Sequence, residues 1–145
     1  MRLKDKVAII TGGAHGMGEA EARLFAKEGA AVIIADRRAD LGEALAADIT
    51  ASQGRASFFT MDVAQEADWK RLIEKALSDY GRIDILVNNA GISGSAVGDM
   101  LSLEGWNQLM SINATGVFLG TTLVGQVMAQ QGKGSIVNIS SIMGF

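Results

Sequence analysis

Eight residues near the start, Thr11-Gly12-Gly13-Ala14-His15-Gly16-Met17-Gly18, follow the apolar run Val7-Ala8-Ile9-Ile10 and precede a helical pattern. A glycine-rich turn between strand and helix suits a dinucleotide phosphate. Glycine lets the backbone come close, and the helix start offers unpaired N–H groups at the positive end of its dipole. The spacing is T-G-x-x-x-G-x-G rather than G-x-G-x-x-G, and no Lys follows the last glycine, which excludes the phosphate loop of nucleoside triphosphatases. The plain alternative is a tight turn with no ligand. Asp36 ends the next apolar run. A carboxylate there can accept from both ribose hydroxyls and repels a 2′-phosphate, which favours NAD over NADP. Arg37, Arg38 and His15 pull the other way, because a cation beside the ribose is what a 2′-phosphate wants. Asp36 weighs more, being at the strand end; a solvated aspartate is its plain reading. Asp62 and Val63 could hold an adenine edge by hydrogen bond and packing, or Asp62 could cap the helix that follows.

The elements that must position these residues alternate. Patterning predicts strands at Lys6–Thr11, Ala31–Ala35, Ala56–Met61, Asp84–Asn88 and Ser135–Ser140. It predicts helices from Met17 to about Glu28, from about Asp40 to Ser52, from about Gln65 to Tyr80 and from about Leu103 to Gln131. Trp69, Leu72, Ile73, Ala76, Leu77 and Tyr80 form the clearest stripe. Apolar residues of the last helix cover more than one stripe, which predicts burial on more than one side. Strands that are apolar at successive positions belong in a sheet covered on both faces. The β-α alternation predicts an α/β Rossmann fold: a doubly wound parallel sheet of order 3-2-1-4-5 with helices on both faces, ending after strand 5. Thr11–Gly18, Asp36, Asp62, Asn89 and Ser140-Ser141 then all fall at strand carboxyl ends, where such sheets bind ligands.

Bulk properties narrow the function classes. The 145 residues amount to one domain, 1–145, and no Pro-rich or Ser-rich linker divides them. The net charge of -3, with charges scattered, gives no field for nucleic acid or an anionic membrane. With no cysteine and a single histidine, thiol catalysis, disulfides and a thiolate or His-rich metal centre are excluded. No uninterrupted apolar run approaches the roughly 18 residues of a membrane span. The apolar stretch after basic Met1–Lys6 is too short for a signal peptide, so a cytoplasmic protein is expected.

Taken with Asn88-Asn89-Ala90-Gly91, with Asn113 in Ser-Ile-Asn-Ala-Thr-Gly-Val-Phe, and with Gly134-Ser-Ile-Val-Asn-Ile-Ser-Ser141, these motifs resemble the short-chain dehydrogenase/reductase family. The likeness is greatest to its NAD-preferring alcohol and hydroxysteroid dehydrogenase branch, and it runs from Lys6 to Phe145. The resemblance implies an oxidoreductase that transfers hydride between NAD(H) and a secondary alcohol or ketone. Gly12, Gly16, Met17 and Gly18 would then line the pyrophosphate, with His15 and Arg37 beside Asp36 at the ribose and Asp62 and Val63 at the adenine. Asn89, Ala90 and Gly91 would brace the sheet and touch the cofactor. Asn113 would hold a water in a proton relay, and Ser141 would polarise the substrate oxygen. Without the resemblance, Asn113 could kink or bridge its helix, and Ser141 could satisfy strand-end backbone.

The resemblance also implies a Tyr and a Lys four apart soon after the serine, with the Tyr as general acid/base. Neither follows Ser141 here, and the single tyrosine, Tyr80, lies on a helix stripe. The chain is therefore expected to be the N-terminal portion of such an enzyme, or an NAD-binding fragment inactive by itself. Strand 5 becomes a bare edge. A homo-oligomer formed through helix 103–131 is the expected partner arrangement, with no nucleic acid and no membrane.

Overall fold

A computed structural model describes residues 1–141. The chain runs β1 (Val7–Thr11), α1 (Gly16–Lys27), β2 (Ala31–Asp36), α2 (Ala39–Ala51), β3 (Arg55–Thr60), α3 (Glu66–Tyr80) and β4 (Ile85–Asn88). A short 3-10 turn at Gly94–Ala96 follows, then α4 (Leu103–Met110), a π-helical segment Ser111–Gly116, α5 (Val117–Gln131) and β5 (Ser135–Asn138). All five strands are parallel, in the order β3-β2-β1-β4-β5. The Rossmann-like α/β expectation holds, with boundaries within a residue or two.

Residue alternation along the strands builds two cores. Val7, Ile9, Ile33, Ala35 and Leu86 face Trp69, Leu72 and Ala76 of α3 and Val124 and Met128 of α5. Ala8, Ile10, Val32, Ile34 and Val87 face Ala22 and Ala26 of α1 and Leu45 and Ile49 of α2. The two layers fix strand register: a slip of one residue would exchange the faces. At the amino ends of the strands, Asp84 is 5% exposed. It accepts the Val7 N–H at 3.0 Å and pairs with the Arg82 guanidinium. Beside it, the Gln131 side-chain amide clasps both the N–H and the carbonyl of Ile83.

The long helix departs from expectation twice. It is not regular, because one extra residue is accommodated as the π segment around Asn113. Nor is it buried on several sides. Gly120, Val124 and Met128 pack inward, and Gly120 abuts the Trp69 ring and Asn88. Trp106 and Phe118 are 57% and 63% exposed. Over its whole span, Leu103–Gln131 is long and apolar enough in composition to cross a membrane, although no uninterrupted apolar run is. Here its second half, α5, packs one face against α3, β4 and β5. β5 is an edge strand, with Val137 well exposed.

Candidate functional site

The order reversal between β1 and β4 leaves a crevice at the carboxyl ends of the strands. A cavity of about 480 Å³ lies there. Gly12 and His15 border it from the β1 turn, Asp36 and Arg37 from the end of β2, Asp62 and Val63 from the end of β3, and Ala90 and Gly91 from the end of β4. Eight expected residues, drawn from four strand ends, thus share one cavity. Ala35, Arg38, Met61, Ile92 and Ile112 also line it, and the sequence marks none of these five as a contact.

The glycine turn divides into two jobs. Gly12 and Gly16 have φ of 62° and 59°, in the left-handed region. A side chain at Gly16 would meet nothing within 4 Å, so the approach to the start of α1 is open. The N-cap residue, His15, makes no side-chain hydrogen bond to the helix, and the first-turn N–H groups of α1 have no intrahelical acceptor. Gly18 faces the other way. A Cβ there would fall 2.7 Å from Asn89 Nδ2 and 2.8 Å from Gly13 Cα, so its place is in helix-to-turn packing rather than on the cavity wall. Met17 is 65% exposed and, like Gly16 and Asn89, lies outside the cavity lining.

Thr11 is the hub of the switch point. Its hydroxyl donates to Val87 O at 3.3 Å and accepts the N–H groups of Asn89 and Ala90, each at 3.1 Å. In return, Asn89 Nδ2 donates to Thr11 O at 2.9 Å and Gly12 O at 3.2 Å. The turns after β1 and β4 are thereby one rigid unit. Thr11 heads the glycine motif, but its type alone gave no sign of this work. Asn88, 3% exposed, extends the network by donating to Asn138 Oδ1 at 2.8 Å and Thr121 Oγ1 at 3.2 Å, which aligns the end of β5 with that of β4.

At the end of β3, Asp62 Oδ1 accepts the Ala64 N–H at 2.9 Å. Its own N–H goes to Asp68 Oδ2 at 2.8 Å. That bond, with the Arg71 guanidinium, holds the Asp68 carboxyl below the usual carboxylate range. Asp62 therefore orders the turn before α3 and still faces the cavity. Asn113 lies in the π segment and clasps one residue: Ile92 N–H donates to Oδ1 and Nδ2 donates to Ile92 O, both at 2.8 Å. This pins the loop after Gly91. Neither Asn113 nor Ser141 lines the cavity. Ser141 is exposed, three residues beyond the end of β5. Tyr80 lies far along the chain from these groups, its hydroxyl 3.4 Å from Ser57 Oγ between α3 and β3.

Donor and acceptor types here fit a nicotinamide dinucleotide. Asp36 and Asp62 supply acceptors, Val63 and Ile112 an apolar wall, and the open start of α1 supplies N–H donors. Residues 6–145 match the family described as short chain dehydrogenase. The 2,5-dichloro-2,5-cyclohexadiene-1,4-diol dehydrogenase of Sphingobium indicum is 41% identical over 143 residues, covering 99% of this chain and 57% of that protein. Cyclopentanol dehydrogenase of Comamonas testosteroni is 42% identical over the same lengths. The 3-oxoacyl-[acyl-carrier-protein] reductase of Thermotoga maritima is 40% identical over 144 residues, 99% of this chain and 58% of that one. The chain thus spans little more than half the length of the curated relatives it matches. With the sheet order, the switch-point cavity and this match in agreement, the chain belongs to the short chain dehydrogenase family, a family of oxidoreductases.

Proposed function

We propose that this chain is the cofactor-binding portion of a cytoplasmic dehydrogenase that moves hydride between NAD(H) and a secondary alcohol or ketone. The observation that carries the reading is the shared cavity of Gly12, Asp36, Asp62, Val63 and Ala90 at the switch point. Asp36 takes the adenosine ribose hydroxyls, Asp62 and Val63 the adenine edge, and the Gly12–Gly16 backbone with the start of α1 the pyrophosphate. The bound nicotinamide supplies hydride acceptance or donation. Asn113, which fixes the cavity-lining Ile92, belongs to the proton relay and holds its water. Ser141 polarises the substrate oxygen. The relatives named for cyclopentanol and for a cyclohexadiene diol support a secondary alcohol as the substrate class.

Among these 145 residues no Tyr-x-x-x-Lys follows Ser141. The chain alone is therefore expected to bind NAD and catalyse nothing. Exposed Trp106 and Phe118 support association through the long helix. Two measurements test the reading. NADH formation with a panel of secondary alcohols should be absent for this chain and present for a protein that continues it with Tyr-x-x-x-Lys. Calorimetry should give tighter binding of NAD than of NADP. Failure of the longer protein on every alcohol defeats the activity, and a preference for NADP defeats the role given to Asp36.

A further inference from the structure

Asp36 does more than face the cavity. Its Oδ1 accepts the Arg38 N–H at 3.0 Å, a local bond that folds the side chain over its own backbone. Its Oδ2 accepts the Ala14 N–H at 3.1 Å, reaching 22 residues back to the glycine turn. The neighbouring backbone tie from Gly13 N–H to Ala35 O is long, at 3.5 Å. The carboxylate is thus the shorter link between that turn and β2. Ala14 is 3% exposed, so water is a poor substitute acceptor for its N–H. A carboxylate has about four lone-pair sites. Two are used by backbone, which leaves others for ribose hydroxyls without breaking the link.

We infer that Asp36 is a positioning residue for the phosphate-binding turn as well as a ribose contact. Its carboxylate holds Ala14 and so fixes the path of Gly12–Gly16. For its ligand this rests on the NAD reading above; the link to Ala14 does not.

The two parts separate in one experiment on the 145-residue chain, by amide exchange at Ala14 together with NAD titration. Asp36→Asn keeps one acceptor oxygen, enough for Ala14 or for Arg38 but not for both, and loses the charge. Asp36→Ala loses both, and Asp36→Ser provides a second variant too short to reach Ala14. Ala14 exchange should rise about tenfold or more in the Ala and Ser variants. It should rise less in Asp36→Asn, whose one oxygen serves either Ala14 or Arg38, with exchange at Ile9 and Ile33 unchanged throughout. NAD affinity should fall about tenfold further in Asp36→Ala than in Asp36→Asn. Unchanged Ala14 exchange in Asp36→Ala and Asp36→Ser overturns the positioning role. An unaltered chain that binds no NAD overturns the ribose contact, while the exchange rates still decide the link.

Discussion

Replacing Thr11 with valine isolates the hydrogen bonds at the switch point from the packing. Thr11 is 1% exposed, and valine fills nearly the same volume. What disappears is one oxygen that accepts two backbone N–H groups, from Asn89 and Ala90, and donates to Val87 O. Both donors sit in part-buried turns. Each loses about 1 kcal/mol, the low end for an orphaned group because some water can reach it. The sum is about 2 kcal/mol, equivalent to a fall in Tm of about 4–8 °C for a domain of this size. Thr11→Ser keeps the oxygen and loses a methyl, at about 1 kcal/mol. Urea titration would give the stabilities, and amide exchange would show whether Asn89 and Ala90 alone lose protection in the valine variant. NAD binding should weaken in valine more than in serine, because Ala90 borders the cavity. A valine variant as stable as the unaltered chain, or a serine variant less stable than valine, would refute the reasoning.

Further outcomes follow from other residues. Gly18→Ala should cost about 1–3 kcal/mol and abolish NAD binding, because the new Cβ would collide with the Gly12 carbonyl oxygen and Asn89. Gly16→Ala, with open space but φ of 59°, should cost only about 1 kcal/mol; equal losses in the two variants, by calorimetric melting, would contradict the division of labour in the turn. Glu21 Oε2 is buried without a partner among the described residues, and burial raises its pKa. The folded state is thus penalised wherever Glu21 is charged. Glu21→Gln should stabilise the chain at pH 7 by up to about 1 kcal/mol, an advantage that vanishes as pH falls through the raised value. For Asp84, burial alone would raise the pKa, but the Arg82 guanidinium, the Val7 N–H and Lys6 outweigh it and hold it below its ordinary 3.8. Its contribution is then present above that value and lost as pH falls through the folded one. Asp84→Asn should cost about 1–2 kcal/mol at pH 7 and flatten the acid limb of a stability–pH curve.

Much of the fold was legible because its signals are local. Successive apolar strand residues announce a sheet covered on both faces, and a β-α alternation with right-handed crossovers leaves few strand orders. The same logic put Asp36, Asp62 and Asn89 at one edge; there Asp36 and Asp62 share a cavity, while Asn89 lies outside its lining. What was not legible depends on distant adjacency. Thr11 meets Asn89 across 78 residues, and nothing in either side chain announces the pairing. Asn113 turns to Ile92 because the π segment alters the helix phase, and one extra residue is invisible in a 3.6-residue pattern of mixed Ser, Ile, Asn, Ala, Thr and Gly. Gly18 carries the same letter as Gly16 but is held by packing rather than left open. Trp106 and Phe118 read as core by composition; the layers that α5 shares with α3 and the sheet leave them outside.

The most direct test of the account is a calorimetric titration of the 145-residue chain with NAD and with NADP, repeated on Asp36→Ala. The account predicts one NAD site, weaker binding of NADP, and an Asp36→Ala variant that loses NAD affinity and most of the preference. Tighter binding of NADP by the unaltered chain, or NAD binding that Asp36→Ala leaves intact, would contradict it.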